Sequence, residues 1–174
     1  MNTYSIDPVH SEVSFKVKHL MISTVTGTFN KFNANVEAAN EDMSDAKISF
    51  DADIDSVNTS NEQRDGHLKG TDFFDAANYP KLSFVSTSLT KKDDSNYVLE
   101  GNLSIRGNTK PVKMDVEYFG KMTDFYGNEK HGFEINGKIS RKEFGLEWSA
   151  VTELGGVVVS DEVKLQVNAQ FQKN

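Results

Sequence analysis

The sequence predicts an all-β domain: an eight-stranded antiparallel barrel carrying one short helix and one long lid-like loop. Apolar and polar residues alternate with period two through about eight runs, the pattern of strands with one wet face. Short polar connections join most neighbouring runs, which gives an antiparallel meander, and eight such strands lose their exposed edges by closing on themselves. One stretch alone, residues 64–80, reads neither as a strand nor as a hairpin turn. A sandwich is the alternative arrangement, and closure favours the barrel.

The first strand sets Val13, Phe15 and Val17 against Ser14, Lys16 and Lys18, with His19 on the apolar parity. The second runs over residues 25–38, and its phase flips from Val25, Gly27 and Phe29 to Phe32, Ala34, Val36 and Ala38. One extra residue near Asn30 or Lys31 produces that flip, so a bulge and a bend are expected there. Ala46, Ile48, Phe50, Ala52 and Ile54 oppose Lys47, Ser49, Asp51, Asp53 and Asp55, the cleanest alternation in the chain. Leu82, Phe84 and Val85 begin a fourth strand, and Lys91 to Ser95 is a polar turn. Tyr97, Leu99, Gly101, Leu103 and Ile105 then share a face, and after a turn at Gly107 to Lys110 so do Val112, Met114, Val116 and Tyr118. A longer loop spans 120–130. His131, Phe133, Ile135, Gly137 and Ile139 follow on one parity, and Val163, Leu165, Val167, Ala169 and Phe171 form the last strand. The connection from Glu143 to Ser160, with Phe144, Trp148 and Gly155-Gly156, is the lid-like loop.

In the exceptional stretch, Ser60 followed by Gln63 fits a capping box, giving a helix from about Asn61 to Lys69 that stops at Gly70. That helix has almost no apolar face, since Leu68 is its one fully hydrophobic residue. Core packing is therefore not its main purpose, and Arg64, His67 and Leu68 lie together at three- and four-residue spacing. Phe73 and Phe74 follow, and two adjacent rings need an apolar place such as a barrel end or pocket mouth.

A chain of 174 residues fits one domain, 1–174. Its net charge of −7 argues against nucleic acid, which needs clustered cations. Without cysteine there is no disulfide, thiolate nucleophile or zinc–thiolate site. Residues 1–12 have neither a basic nor an apolar leader region, so the chain as written is expected to be cytoplasmic, or periplasmic if it is a mature form whose leader was removed. The four histidines, His10, His19, His67 and His131, lack the close spacing of metal-ligand motifs, so no metal and no cofactor are expected. His10 beside Ser11 is no catalytic pair, because adjacent strand residues point to opposite faces.

Small residues recur on the apolar parity: Ala34, Ala38, Ala46, Ala52, Gly101, Gly137 and Ala169. They point to a hollow barrel holding one ligand; the plainer reading is that the glycines mark bends and the alanines taper a packed core. His19 and His131 on inward parity, with Arg64 and His67 on the helix, are placed to meet a polar head group. The plainer reading there pairs Arg64 with Asp65 or Asp72 and leaves the histidines to cap turns.

Ile6-Asp7-Pro8-Val9-His10-Ser11, Val13-Ser14-Phe15, Val17-Lys18-His19, Gly27-Thr28-Phe29, Arg64-Asp65-Gly66-His67-Leu68, Asp72-Phe73-Phe74-Asp75, Tyr79-Pro80, Phe84 and Phe144-Gly145-Leu146 together resemble the YceI-like family of lipid and polyisoprenoid binders, in order and nearly end to end. The resemblance implies an extended, lipocalin-like barrel whose apolar tunnel holds a long-chain isoprenoid, an isoprenoid quinone or a fatty amphiphile. It implies no catalytic residue, and many members carry a signal peptide that this chain lacks. On this reading Phe15, Val17, Phe29, Phe50, Phe84, Leu99, Leu103, Met114, Val116, Phe133 and Ile135 form the wall, with Phe73, Phe74 and Trp148 beside them. His19, Arg64, His67 and His131 take the polar end. The expected function is non-enzymatic carriage or sequestration. An isomerase- or hydrolase-like enzyme using the pocket, and a dimerising β-domain with a filled core, are the alternatives; a homodimer is compatible with each.

Overall fold

The first strand runs are each broken once, and the breaks decide how the sheet closes. A computed structural model describes residues 1–149 and 158–174. β1 (Asn2–Ile6) and β2 (Glu12–His19) are parted by a 3-10 turn at Pro8–His10, where proline can start the turn because its missing N–H is not needed. β3 (Ser23–Phe29) and β4 (Phe32–Ala38) are parted at Asn30 and Lys31, where the sequence phase flips. β5 (Lys47–Asp53) and the two-residue β6 (Val57–Asn58) flank a second 3-10 turn. Then come α1 (Glu62–Lys69), β7 (Lys81–Lys91), β8 (Asn96–Ile105), β9 (Asn108–Thr123), β10 (Glu129–Ser140) and β11 (Val159–Lys173).

Joined across their breaks, the strands make eight antiparallel runs, each paired with its sequence neighbours. β11 closes the ring by pairing with both pieces of the first run, Phe171 with Ile6 of β1 and Val163 with Val17 of β2. The inward parity supplies a core with two lobes. Phe15, Phe29, Leu82, Phe84, Leu99 and Phe144 belong to one, and Tyr4, Ile6, Val36, Met43 and Phe171 to the other.

Two sequence expectations change, while the fourth strand begins where expected: in β7 Leu82 and Phe84 face inward and Val85, 58% exposed, faces out. The β8–β9 turn is Arg106-Gly107, with φ of 49° and 72°, and Asn108 already pairs with Ile105. Positive φ at both central residues suits a tight hairpin. The small residues also do not hollow the barrel in the way expected, for side chains fill the space above the glycines. A Cβ on Gly101 would lie 2.4 Å from the Phe84 ring and 2.5 Å from the Val85 carbonyl oxygen. Gly27 likewise lies under Phe15, and Gly137 under Met114. These glycines let a larger cross-strand neighbour lie flat on the sheet.

The break between β1 and β2 is fixed by Asp7. Its carboxylate accepts from the Val9 backbone N–H at 3.0 Å, from His10 Nδ1 at 2.9 Å and from Lys130 Nζ of β10 at 2.9 Å. Burial alone would raise its pKa, but the hydrogen bonds from His10, Lys130 and Val9 outweigh burial and hold it at about 2.

Two outcomes are expected. Gly101→Ala should destabilise by about 1 to 3 kcal/mol in denaturant unfolding, because the backbone carbonyl cannot move aside as a ring can; a silent substitution would show that β7 and β8 can part. Asp7 has a depressed folded pKa, so its contribution is complete above the ordinary carboxylate value of 3.8 and is lost as pH falls through about 2. Asp7→Asn should therefore be less stable than wild type at pH 6, with the difference shrinking steadily as pH falls from about 4 to 2; a difference as large at pH 2 as at pH 6 would rule out the ion-pair account.

Candidate functional site

One end of the barrel is closed by α1 and the residues that return from it. Asn61, not Ser60, caps the helix: its Oδ1 accepts from Arg64 N at 3.0 Å, while Ser60 sits at φ 64° with its N–H bonded to Asn58 Oδ1. Ser60 is thus spent turning the chain, and the expected capping box does not form. No residue of α1 is buried, in keeping with its polar composition.

Polar contacts hold the helix instead. Asp65 Oδ1 accepts from the backbone N–H of the buried Thr59 at 2.8 Å and from its hydroxyl at 2.5 Å. Arg64 donates from Nε to Thr59 Oγ1 at 2.8 Å and from Nη2 to Thr59 O at 2.6 Å. Its partner is therefore Thr59 and neither Asp65 nor Asp72. Asp72 instead accepts from His67 Nε2 at 2.9 Å.

After Gly70 the chain drives Phe73 into the barrel end, where it is 6% exposed. His67 meets its ring edge-on at 5.0 Å, Trp148 lies at 5.5 Å, and Phe74 meets Phe29 edge-on at 6.0 Å. Arg106 Nη1 fixes the Phe73 carbonyl at 2.8 Å.

Arg141 completes this end. It is 3% exposed, lies over the Phe73 ring, and donates to the carbonyls of Leu146, Trp148, Val159 and Ser160. Burial lowers its pKa, against the opposing charge of Asp161. One planar donor fork thus ties both described ends of the long connection to β10. The Gly155-Gly156 part of the expected lid lies outside the described residues.

These groups enclose a mainly apolar cavity of about 250 Å³. Of the predicted site residues, Phe15, Val17, His19, Phe29, Arg64, His67, Phe73, Phe74 and Trp148 line it. Phe50, Phe84, Leu99, Leu103, Met114, Val116, Phe133 and Ile135 instead pack deeper in the barrel. The lining residues not expected from the sequence are Lys18, Val25, Thr59, Leu68, Leu82, Ile105, Ile139, Arg141, Leu146, Val158, Val159, Val163 and Leu165. A usable signal existed for Arg141, which continues the inward parity of His131 to Ile139 past the end of β10. Among the described residues, Lys18, His19, Thr59, Arg64, His67 and Arg141 are the polar members of the lining, and none of the described lining residues is a carboxylate.

His131 is not part of this group. It pairs with Phe171 on β11, eight residues along from Val163 at the cavity, or roughly 26 Å at ~3.3 Å per residue. Tyr118 O–H lies 2.6 Å from its Nδ1 and Glu129 Oε1 lies 2.8 Å from its Nε2, and Tyr4 meets the ring edge-on. Burial pushes the Tyr118 phenol up to about 12, and the Glu129 carboxylate accepts from Nε2. Both ring nitrogens are used in plugging the far end.

Fold and site together define a closed, lipocalin-like eight-stranded barrel with an apolar end pocket rimmed by cations. A YceI-like domain model matches residues 4–171, and the chain belongs to that family. A UPF0312 protein of Staphylococcus epidermidis is 36% identical over 172 residues, 98% of each chain. The YceI protein of Campylobacter jejuni is 33% identical, superposes with a TM-score of 0.78 and is covered over 90% of each chain. The fold is shared at greater distance by a polyisoprenoid binding domain from Saccharophagus degradans, 14% identical with a TM-score of 0.72 over 98% of each chain.

Phe73→Ala should cost about 3 to 5 kcal/mol by chemical unfolding, because a buried ring leaves a cavity the Arg141 tether keeps from collapsing. Arg141→Lys should cost about 1 to 3 kcal/mol, since an ammonium cannot reach carbonyls spread around a planar fork. A lysine variant as stable as wild type would remove the tether from this account.

Proposed function

We propose that the protein binds and carries, without catalysis, a long-chain amphiphile whose apolar chain enters the barrel end and whose anionic or carbonyl head group meets Arg64. The carrying observation is the lining itself: among the described residues it is phenyl and aliphatic side chains with cationic and neutral donors, and no carboxylate. Arg64 uses Nε and Nη2 on Thr59, so Nη1 has no partner among the described residues and remains available to a head group. Family membership supports a lipid ligand, and the Saccharophagus relative of the fold is named for polyisoprenoid binding.

At about 250 Å³ the cavity is below the usual range of about 300 to 1,000 Å³ for ligand sites, so it takes a segment of a long chain. The rest of the chain either extends through the mouth or displaces the deeper side chains. The non-enzymatic reading is supported by the engagement of Thr59, the one hydroxyl among the described lining residues: its Oγ1 donates to Asp65 and accepts from Arg64, so it is not poised as a nucleophile beside a base.

Arg64→Ala should weaken binding of a long-chain fatty acid or prenyl phosphate about 10- to 100-fold while sparing a hydrocarbon of similar length. Titration calorimetry with both ligand types checks this. Equal losses for both, with a lowered melting temperature, would assign Arg64 wholly to holding Thr59.

A further inference from the structure

The rim of the pocket continues into the β2–β3 turn, Leu20-Met21-Ile22, whose residues are 39%, 59% and 86% exposed. Leu20 and Met21 have φ of 53° and 61°, a left-handed backbone that hairpin turns normally fill with Asn or Gly. Three apolar side chains thus occupy a turn where both backbone and water disfavour them. The Leu20 N–H bonds the Val158 carbonyl at 2.8 Å, and the neighbouring Lys18, His19 and Val158 line the cavity, so the tip is part of its mouth.

The outer wall beside this tip carries a second unfavourable arrangement. Lys16 of β2 stands directly opposite Lys164 of β11, and Lys164 opposite Lys138 of β10. Like charges in directly opposed positions weaken a sheet. Lys138 has Glu162 at 3.9 Å, but among the described residues neither Lys16 nor Lys164 has a carboxylate within salt-bridge distance. Lys18, next on the same face, donates to Thr24 Oγ1. This cluster of cations stands on a chain of net charge −7.

We propose that the Leu20-Met21-Ile22 tip and the Lys16–Lys164–Lys138 row form a docking surface for an anionic phospholipid bilayer, which brings the pocket mouth to the membrane. The apolar tip enters the interfacial region and the lysines meet head-group phosphates. A bilayer offers both chemistries side by side. An acidic protein surface would satisfy the lysines but not the apolar tip. The carrier reading supplies the purpose of this surface, but docking itself does not depend on a ligand in the pocket. The other exposed apolar turn, at Phe125 and Tyr126, lies at the far end beside Asp124 and Glu129 and serves as a control.

The test is co-sedimentation with phosphatidylcholine vesicles, with and without phosphatidylglycerol, alongside fluorescence of Trp148, the only tryptophan. Wild type should bind phosphatidylglycerol vesicles, more weakly at high salt. The Met21→Asp/Ile22→Asp variant should bind about tenfold or more weakly, and Phe125→Asp/Tyr126→Asp as well as wild type. Lys16→Glu/Lys164→Glu, which leaves the turn untouched, should lose the preference for phosphatidylglycerol and covers the case in which the tip variant misfolds. Arg64→Ala should dock normally, which separates this surface from the pocket. Wild type that ignores both kinds of vesicle, a folded tip variant that binds as wild type does, or self-association of wild type that the tip substitutions abolish would overturn the proposal.

Discussion

The closure of the barrel rests on β11 pairing with two different strands, β1 near the C-terminus and β2 near its own start. The first run is broken at Pro8–His10, so the two pieces need not share one line, and Asp7 fixes their offset through Lys130 of β10. A sheet closed in this way has no free edge in its ring, and every inward residue must be either packed or offered to a ligand. Register decides which. Toward the C-terminus of β11, Phe171 and His131 fill the barrel with Tyr4 and Tyr118; at its start, Val163 and Leu165 face the cavity that Phe73, Phe74 and the Arg141 tether close.

That asymmetry links the helix to the pocket. A helix with no buried residue is a poor stabiliser of a fold, and α1 is held mainly through Thr59, Asp65 and Asp72, with the half-buried Leu68 adding apolar contact to the core. The same bonds set the Arg64 guanidinium and the His67 ring on the lining, and the return through Phe73 supplies the floor. Polar anchoring of the helix and polar recognition at the mouth therefore use the same residues, with Arg64 holding Thr59 on one side and presenting Nη1 on the other.

Much of this was legible because period-two alternation reports which face a residue takes. The wet and dry faces of β5, the bend at Asn30-Lys31 and the inward parity of β8 and β10 follow from it directly. Alternation does not report depth along the barrel, and so Phe84, Leu99 and Val116 could not be told from Phe15 and Phe29. Depth is set by cross-strand register, which for His131 also depends on a bulge at Phe119 that brings Tyr118 beside it. The polar composition of α1 agrees with its place beside the cavity, whereas its cap is ambiguous in sequence because Ser60 and Asn61 are both good capping residues and only backbone geometry separates them. A cation just after a strand end, such as Arg141, carries no sequence sign of burial beyond its parity.

The central claim is that the barrel end holds the chain of an amphiphile. Native mass spectrometry of the freshly purified protein, followed by solvent extraction of the bound fraction, tests it most directly. The account predicts a stoichiometric adduct that extraction releases as a molecule with a long apolar chain and an acidic or carbonyl end. A protein that emerges at its bare mass, and stays there after incubation with long-chain acids, prenyl phosphates and quinones, would contradict it.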